Sequence, residues 1–161
     1  MESKQPLKGD FNKVYMLSIT KNQNILKEFI EAEIYGDTIK AGNLLGYPKC
    51  CVNAFEHIGS LGSKWAIHYL DDYLKNKKAS PYCNRFPIFF NSISPIGELF
   101  PCSLNCDNAQ NYARLMLNDM KSVGFSKLIN KTLEISSKDI YINRQGNFSL
   151  EKENKFNVIK F

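Results

Sequence analysis

No stretch of the 161-residue chain approaches the roughly 18 apolar residues in a row that cross a bilayer. The opening, MESKQPLKGDFNK, lacks the apolar core of a secretory signal. The cytosol is therefore the expected compartment, and residues 1–13 are expected to be a disordered tail. The sequence contains no G-x-G-x-x-G, P-loop, G-x-S-x-G or H-E-x-x-H. This removes the usual signatures of dinucleotide binding, phosphate cradling, serine hydrolysis and helical zinc proteases. The excess of positive over negative charge is mild: the formal net charge is +5 and the lysines are scattered. Their densest cluster, KNKK at 75–78, suits a helix C-terminus, where cations favour the dipole. Nucleic acid is accordingly a disfavoured partner. Internal repeats and low-complexity segments are also absent.

An ordinary globular composition is present, with 43% apolar and 23% charged residues. A chain of this length is most simply one domain, 1–161. VYMLSIT at 14–20 reads as a strand, and Thr20 as the cap of a helix over 21–35 with Ile25, Leu26, Phe29, Ile30 and Ile34 at helical spacing. A short helix follows from Thr38 to Leu45, and Gly46 ends it. Pro48 opens another that reaches Ile58. GSLGS at 59–63 is a turn, and KWAIHYLDDYLKNKK is an amphipathic helix with Trp65, Ile67, Leu70 and Leu74 as its buried stripe. Asp71 and Asp72 read as its solvated face. Prolines 81, 87, 95 and 101 preclude a long helix over 79–106, where one short strand is expected at 88–90. From Asp107 a helix runs to Val123, carrying Ala109, Tyr112, Ala113, Met116 and Met120 on one stripe, and Gly124 closes it. Residues 132–161 alternate apolar and polar around NRQGN and form the β-rich part, with an antiparallel hairpin or small sheet. Helices first and strands last, without a βαβ repeat, give an α+β fold.

Four of the five cysteines stand in two close pairs, GYPKCC at 46–51 and FPCSLNC at 100–106. In a reducing cytosol such clusters point to a metal or to catalysis rather than to disulfides. Both pairs sit at expected helix starts, where free N–H groups favour thiolates. If the two starts converge, Cys50, Cys51, Cys102 and Cys106 form one metal-binding and cofactor-binding set. Regular helical geometry turns Cys51 toward Val52, Phe55 and Ile58, and Cys50 toward Asn53 and His57. The adjacent cysteines then point in different directions, which suits several irons better than one tetrahedral ion. On that ground an iron–sulfur cluster is expected as the cofactor, with zinc on four sulfurs as the alternative. Neither C-x-x-C nor a ferredoxin spacing is present, and Ala109 occupies the place that would complete a radical-SAM triplet. Cys51 should be more buried than Cys50. Cys83, isolated in SPYCNRF, is expected outside the set as a small buried hydrophobe. Cys50 and His57 are the candidate nucleophile and base, although two helical turns separate their backbones by about 10 Å.

Gly46-Tyr47-Pro48-Lys49-Cys50-Cys51-Val52-Asn53-Ala54-Phe55 and Pro101-Cys102-Ser103-Leu104-Asn105-Cys106 resemble the two signature stretches of a prokaryotic family of unknown function, number 483. The resemblance implies paired functional cysteines. A looser likeness is to the CCG cysteine-rich domain, where adjacent cysteines and a later pair hold an iron–sulfur cluster; here Val52 stands in place of the glycine. Together these readings lead to a metal-binding protein in redox or sulfur-handling chemistry, with a small molecule or a redox protein as partner. A structural zinc module that binds a protein or RNA is the alternative.

Overall fold

The computed structural model describes residues 20–59, 61–84, 99–149 and 156–161. The disordered tail at 1–13, the strand at 14–20 except for Thr20, and the short strand at 88–90 lie outside them. The chain divides into two compact units, Met1–Gly46 and Tyr47–Phe161.

The described part of the first unit is a pair of helices. Helix α1, Gln23–Tyr35, is capped by Asn22, whose side chain accepts from the N–H groups of Asn24 and Ile25. Thr20 stands one step further out, accepting from the Asn22 N–H. Gly36 ends α1 in the left-handed conformation at φ 68°, which leaves Asp37 to donate to the Ala32 carbonyl. Asp37 then caps α2, Thr38–Leu44. Phe29, Ala32 and Ala41 pack together with Leu44 beside them. Ile25 and Ile34, expected in the buried stripe, are 40% and 67% exposed.

The second unit holds α3 (Lys49–Ile58), α4 (Gly62–Asn76), a 3-10 turn (Pro81–Cys83), α5 (Asp107–Ser122) and α6 (Ser126–Ser136). Three short strands follow, β1 (Ile140–Ile142), β2 (Phe148–Ser149) and β3 (Asn157–Ile159), in the antiparallel order β2-β1-β3. This is the expected α+β order of helices followed by a small sheet. Ile140 pairs with Ile159, and together with Ile142 they are fully buried beneath α4. Trp65, Ala66, Tyr69 and Leu70 form the buried face of α4, while Ile67 and Leu74 are 37% and 46% exposed. The expected stripe is thus rotated toward Tyr69. Burying a tyrosine is tolerable only if its hydroxyl finds a partner, and Tyr69 donates to the Pro101 carbonyl at 2.9 Å. Trp65 likewise donates through Nε1 to the Gly59 carbonyl at 2.7 Å, with its ring 5.0 Å from that of Phe100. Lys75, Lys77 and Lys78 do mark the C-terminus of α4, with Lys77 as its left-handed cap.

The β1–β2 hairpin turns through Asn143–Asn147, where the Asn143 side chain accepts from the N–H groups of Gln145 and Asn147. Gly146 lies at φ 81°, and a Cβ built there would stand 2.7 Å from the Ser63 carbonyl oxygen. Gly146→Ala therefore meets both backbone strain and a backbone clash. It is expected to destabilise the protein by about 2–4 kcal/mol, read as a lower urea midpoint. An unchanged midpoint would show that the hairpin moves off α4 freely.

Candidate metal centre

Cys50 and Cys51 occupy the first turn of α3, and Cys106 is the N-cap of α5. Pro48, the N-cap of α3, makes no side-chain cap, so the N–H groups of that turn have no side-chain acceptor. At α5 the thiol does what a serine or aspartate usually does: Cys106 Sγ accepts from the Ala109 N–H at 3.4 Å. The loop Pro101–Cys106 brings in Cys102, whose N–H donates to Cys51 Sγ at 3.4 Å. The side-chain amide of Asn108 reaches Cys50 Sγ at 3.6 Å. Donors of this kind surround sulfurs that carry negative charge.

The sulfurs converge. Cys50–Cys51, Cys50–Cys106 and Cys51–Cys106 are each 3.8 Å apart between sulfurs, and all four, with Cys102, lie within 4.8 Å of one another. The expectation that Cys50 and Cys51 point apart does not hold. Rotamers in a helix are restricted by the preceding turn, and residues in the first turn have no preceding turn to avoid. Both side chains are therefore free to swing to one point in front of the helix. Cys51 and Cys106 are buried, whereas Cys50 and Cys102 are half-buried, which matches the expected order for the adjacent pair. Leu99, Ala109 and the edge-to-face pair Tyr47–Tyr112, 5.5 Å between centroids, complete an apolar surround.

Cys102 is pulled down to about 5 because Cys51 donates its S–H to it, with further help from Cys106 and Cys50 and against the opposing effect of burial. Cys51, the donor to Cys102, is raised, and burial raises it further. Burial pushes Cys106 up to about 11, opposed by the Ala109 N–H. The lowered thiol is Cys102, in the loop just ahead of α5.

Cys83 lies in the same apolar cluster but not in the four-sulfur group. It is fully buried, its S–H points to the Cys106 carbonyl at 3.7 Å, and burial pushes it up to about 12. His57 is exposed, two turns along α3 from Cys50.

Sequence reading missed the residues that fix the second pair, most of them on α4. His68 Nε2 donates to the Cys102 carbonyl at 2.8 Å, Tyr69 holds Pro101, and Asp72 accepts from the Leu104 N–H at 2.8 Å. Ser80 closes the loop from the other side by donating its N–H to the Leu104 carbonyl. His68, Tyr69 and Asp72 stand at i, i+1 and i+4, so one side of the helix addresses one loop. Leu104 is fully buried, so Asp72→Ala strands its N–H without a partner. The loss should lower metal affinity about 10- to 100-fold, as for other groups that orient ligands. Asp72→Asn, which keeps an acceptor oxygen, should retain most of it. Competition against a chromophoric chelator measures both, and equal affinities for Asp72→Ala and wild type would remove Asp72 from the support of the site.

The chain belongs to the family described as protein of unknown function (DUF483), whose model matches residues 16–135 and so includes all four cysteines. The match bears out the resemblance seen in the two cysteine stretches. No curated protein and no solved structure matches the chain.

Proposed function

We propose that this member of the family is a zinc protein, with one ion held by Cys50, Cys51, Cys102 and Cys106 as a structural centre. The observation that carries the reading is the sulfur spacing. Four ligands arranged tetrahedrally about one ion, at metal–sulfur bonds of about 2.3 Å, stand about 3.8 Å from one another. The three sulfur pairs among Cys50, Cys51 and Cys106 are separated by 3.8 Å, and Cys102 lies within 4.8 Å of each of them. A cluster of several irons places thiolates on different metal atoms, which spreads them beyond the edge of a single tetrahedron. The spacing therefore favours a single ion over the iron–sulfur cluster expected from the adjacent cysteines. A four-sulfur tetrahedron accepts zinc or iron, and zinc binds such a site more tightly than ferrous iron.

Four protein ligands leave no open position for substrate, which is the pattern of structural rather than catalytic zinc. The centre ties the start of α3 to the start of α5 and to the loop that α4 holds. Metal-centred redox chemistry would follow with iron in this place.

Metal analysis and an absorption spectrum of anaerobically purified protein separate the readings. One zinc per chain in a colourless protein is the expected result. Absorption at about 400 nm with stoichiometric iron and acid-labile sulfide would overturn it in favour of a cluster. Iron without sulfide would keep the tetrahedron and change the ion.

A further inference from the structure

A cleft of about 340 Å³ opens between α5 and α6, and Tyr82 of the 3-10 turn forms part of its wall. None of the four sulfurs lines it. Leu117, Ile129 and Leu133 give it an apolar floor, and the first two are buried in the core behind it. Arg114 and Lys121, two turns apart on the same face of α5, line it as well, and among the described residues that line it none is acidic. Asn118 and Asn130 add neutral hydrogen-bonding groups on opposite helices.

Arg114 is already set in place. Its guanidinium donates to Gln110 Oε1 and Asn111 Oδ1, each at 3.2 Å, and lies 4.8 Å from the centre of the Tyr82 ring. Those acceptors are neutral, so they orient the group without cancelling its charge, and only part of its five-donor fork is used. The start of α6 adds to the same sign of potential. Ser126 lines the cleft, and Phe125, the N-cap, supplies no side-chain acceptor for the N–H groups of the first turn. The Gly124 turn holds the two helices in register here: Phe125 donates to the Met120 carbonyl and Gly124 to the Lys121 carbonyl.

We propose that this cleft is a binding site for a small organic anion, with its charged group between Arg114 and Lys121 and its apolar body on Leu117, Ile129 and Leu133. A mixed ligand is required by the lining. A bare inorganic anion leaves the floor wet, and an uncharged apolar molecule leaves the two cations without a counter-charge. The size suits a single ring or a short branched chain with one anionic group, at the lower end of ordinary small-molecule sites.

Phenyl phosphate is the probe, titrated into the metal-loaded full chain and followed by amide chemical shifts. Inorganic phosphate and phenol serve as the two half-ligands. Phenyl phosphate should bind at least about tenfold more tightly than either half, with shifts concentrated at residues 114–133. Arg114→Gln and Lys121→Gln should each weaken it by about tenfold, and added salt should weaken it further. Both variants change exposed side chains, and each should keep its full metal content. Phenol binding as well as phenyl phosphate would reduce the cleft to an apolar dent. Shifts spread over the surface lysines, or variants with unchanged affinity, would overturn the site altogether.

Discussion

Cys51→Ser is expected to purify without metal and to melt far below the wild-type protein. Cys51 is the fully buried member of the four, 3.8 Å from two other sulfurs and a hydrogen-bond acceptor from the Cys102 N–H. A serine hydroxyl does not ionise near neutral pH and is a poor ligand for zinc, so the substitution leaves three thiols around a vacancy. A ligand present at a thousand times its dissociation constant stabilises the folded state by about 4 kcal/mol. For a unit of this size that corresponds to a melting temperature lower by on the order of 15 °C. Treating the wild type with a strong chelator should reproduce the shift. Cys83→Ala is the control, because Cys83 is equally buried but lies outside the sulfur group. It should lose some stability and keep one ion per chain. Full metal occupancy in Cys51→Ser, or a chelator that leaves the melting temperature unchanged, would remove the metal from the architecture.

Metal affinity should rise by at least about 100-fold for each unit of pH between 6 and 8. The sign follows from proton counts in the two states. At pH 7 the metal-free chain keeps protons on Cys51, which is raised, and on Cys106, which is pushed up to about 11. Cys102, pulled down to about 5, has already lost its proton. The bound ion needs thiolates, so loading releases at least the two protons of Cys51 and Cys106. Removing protons from solution therefore drives binding, and acid reverses it. Below about pH 5 Cys102 also takes up a proton, and the dependence should steepen by a further factor of about 10 per unit. Calorimetry in two buffers of different ionisation enthalpy counts the protons directly. Release of fewer than one proton per ion would mean that the sulfurs are already ionised in the metal-free protein, contrary to their burial.

What the sequence made legible was local. Pro48, Gly36 and Gly124 mark helix ends through backbone geometry alone, and their neighbours in the chain reveal them. The pairing of cysteines at two helix starts was legible for the same reason. What stayed hidden depended on contacts made across the fold. Tyr69 is polar enough to pass for a surface residue until the Pro101 carbonyl is brought to it. Asp72 looks solvated by pattern, yet its carboxylate faces the loop backbone. Helix α6 was overlooked because SKLINKTLEIS mixes β-branched and polar residues. Thr132 fits there by returning its hydroxyl to the Leu128 carbonyl, and it is buried by tertiary packing rather than by propensity. The convergence of Cys50 and Cys51 was hidden for a different reason. Periodicity describes the middle of a helix, and these residues stand at its beginning.

The helical pair and the loop pair lie far apart along the chain, with Cys102 following Cys51 by 51 positions. An ion on all four closes a large ring of backbone in the way a disulfide does, but through a bond that pH and chelators can open. For a ring of that length the loss of chain entropy in the unfolded state amounts to about 4 kcal/mol. Much of what such an ion would contribute is therefore exerted on conformations in which α4 and the sheet do not yet exist. Loaded early, the ion would shorten the search that brings α3 and α5 together. A break in the backbone anywhere inside the ring would leave two pieces that the ion would still join.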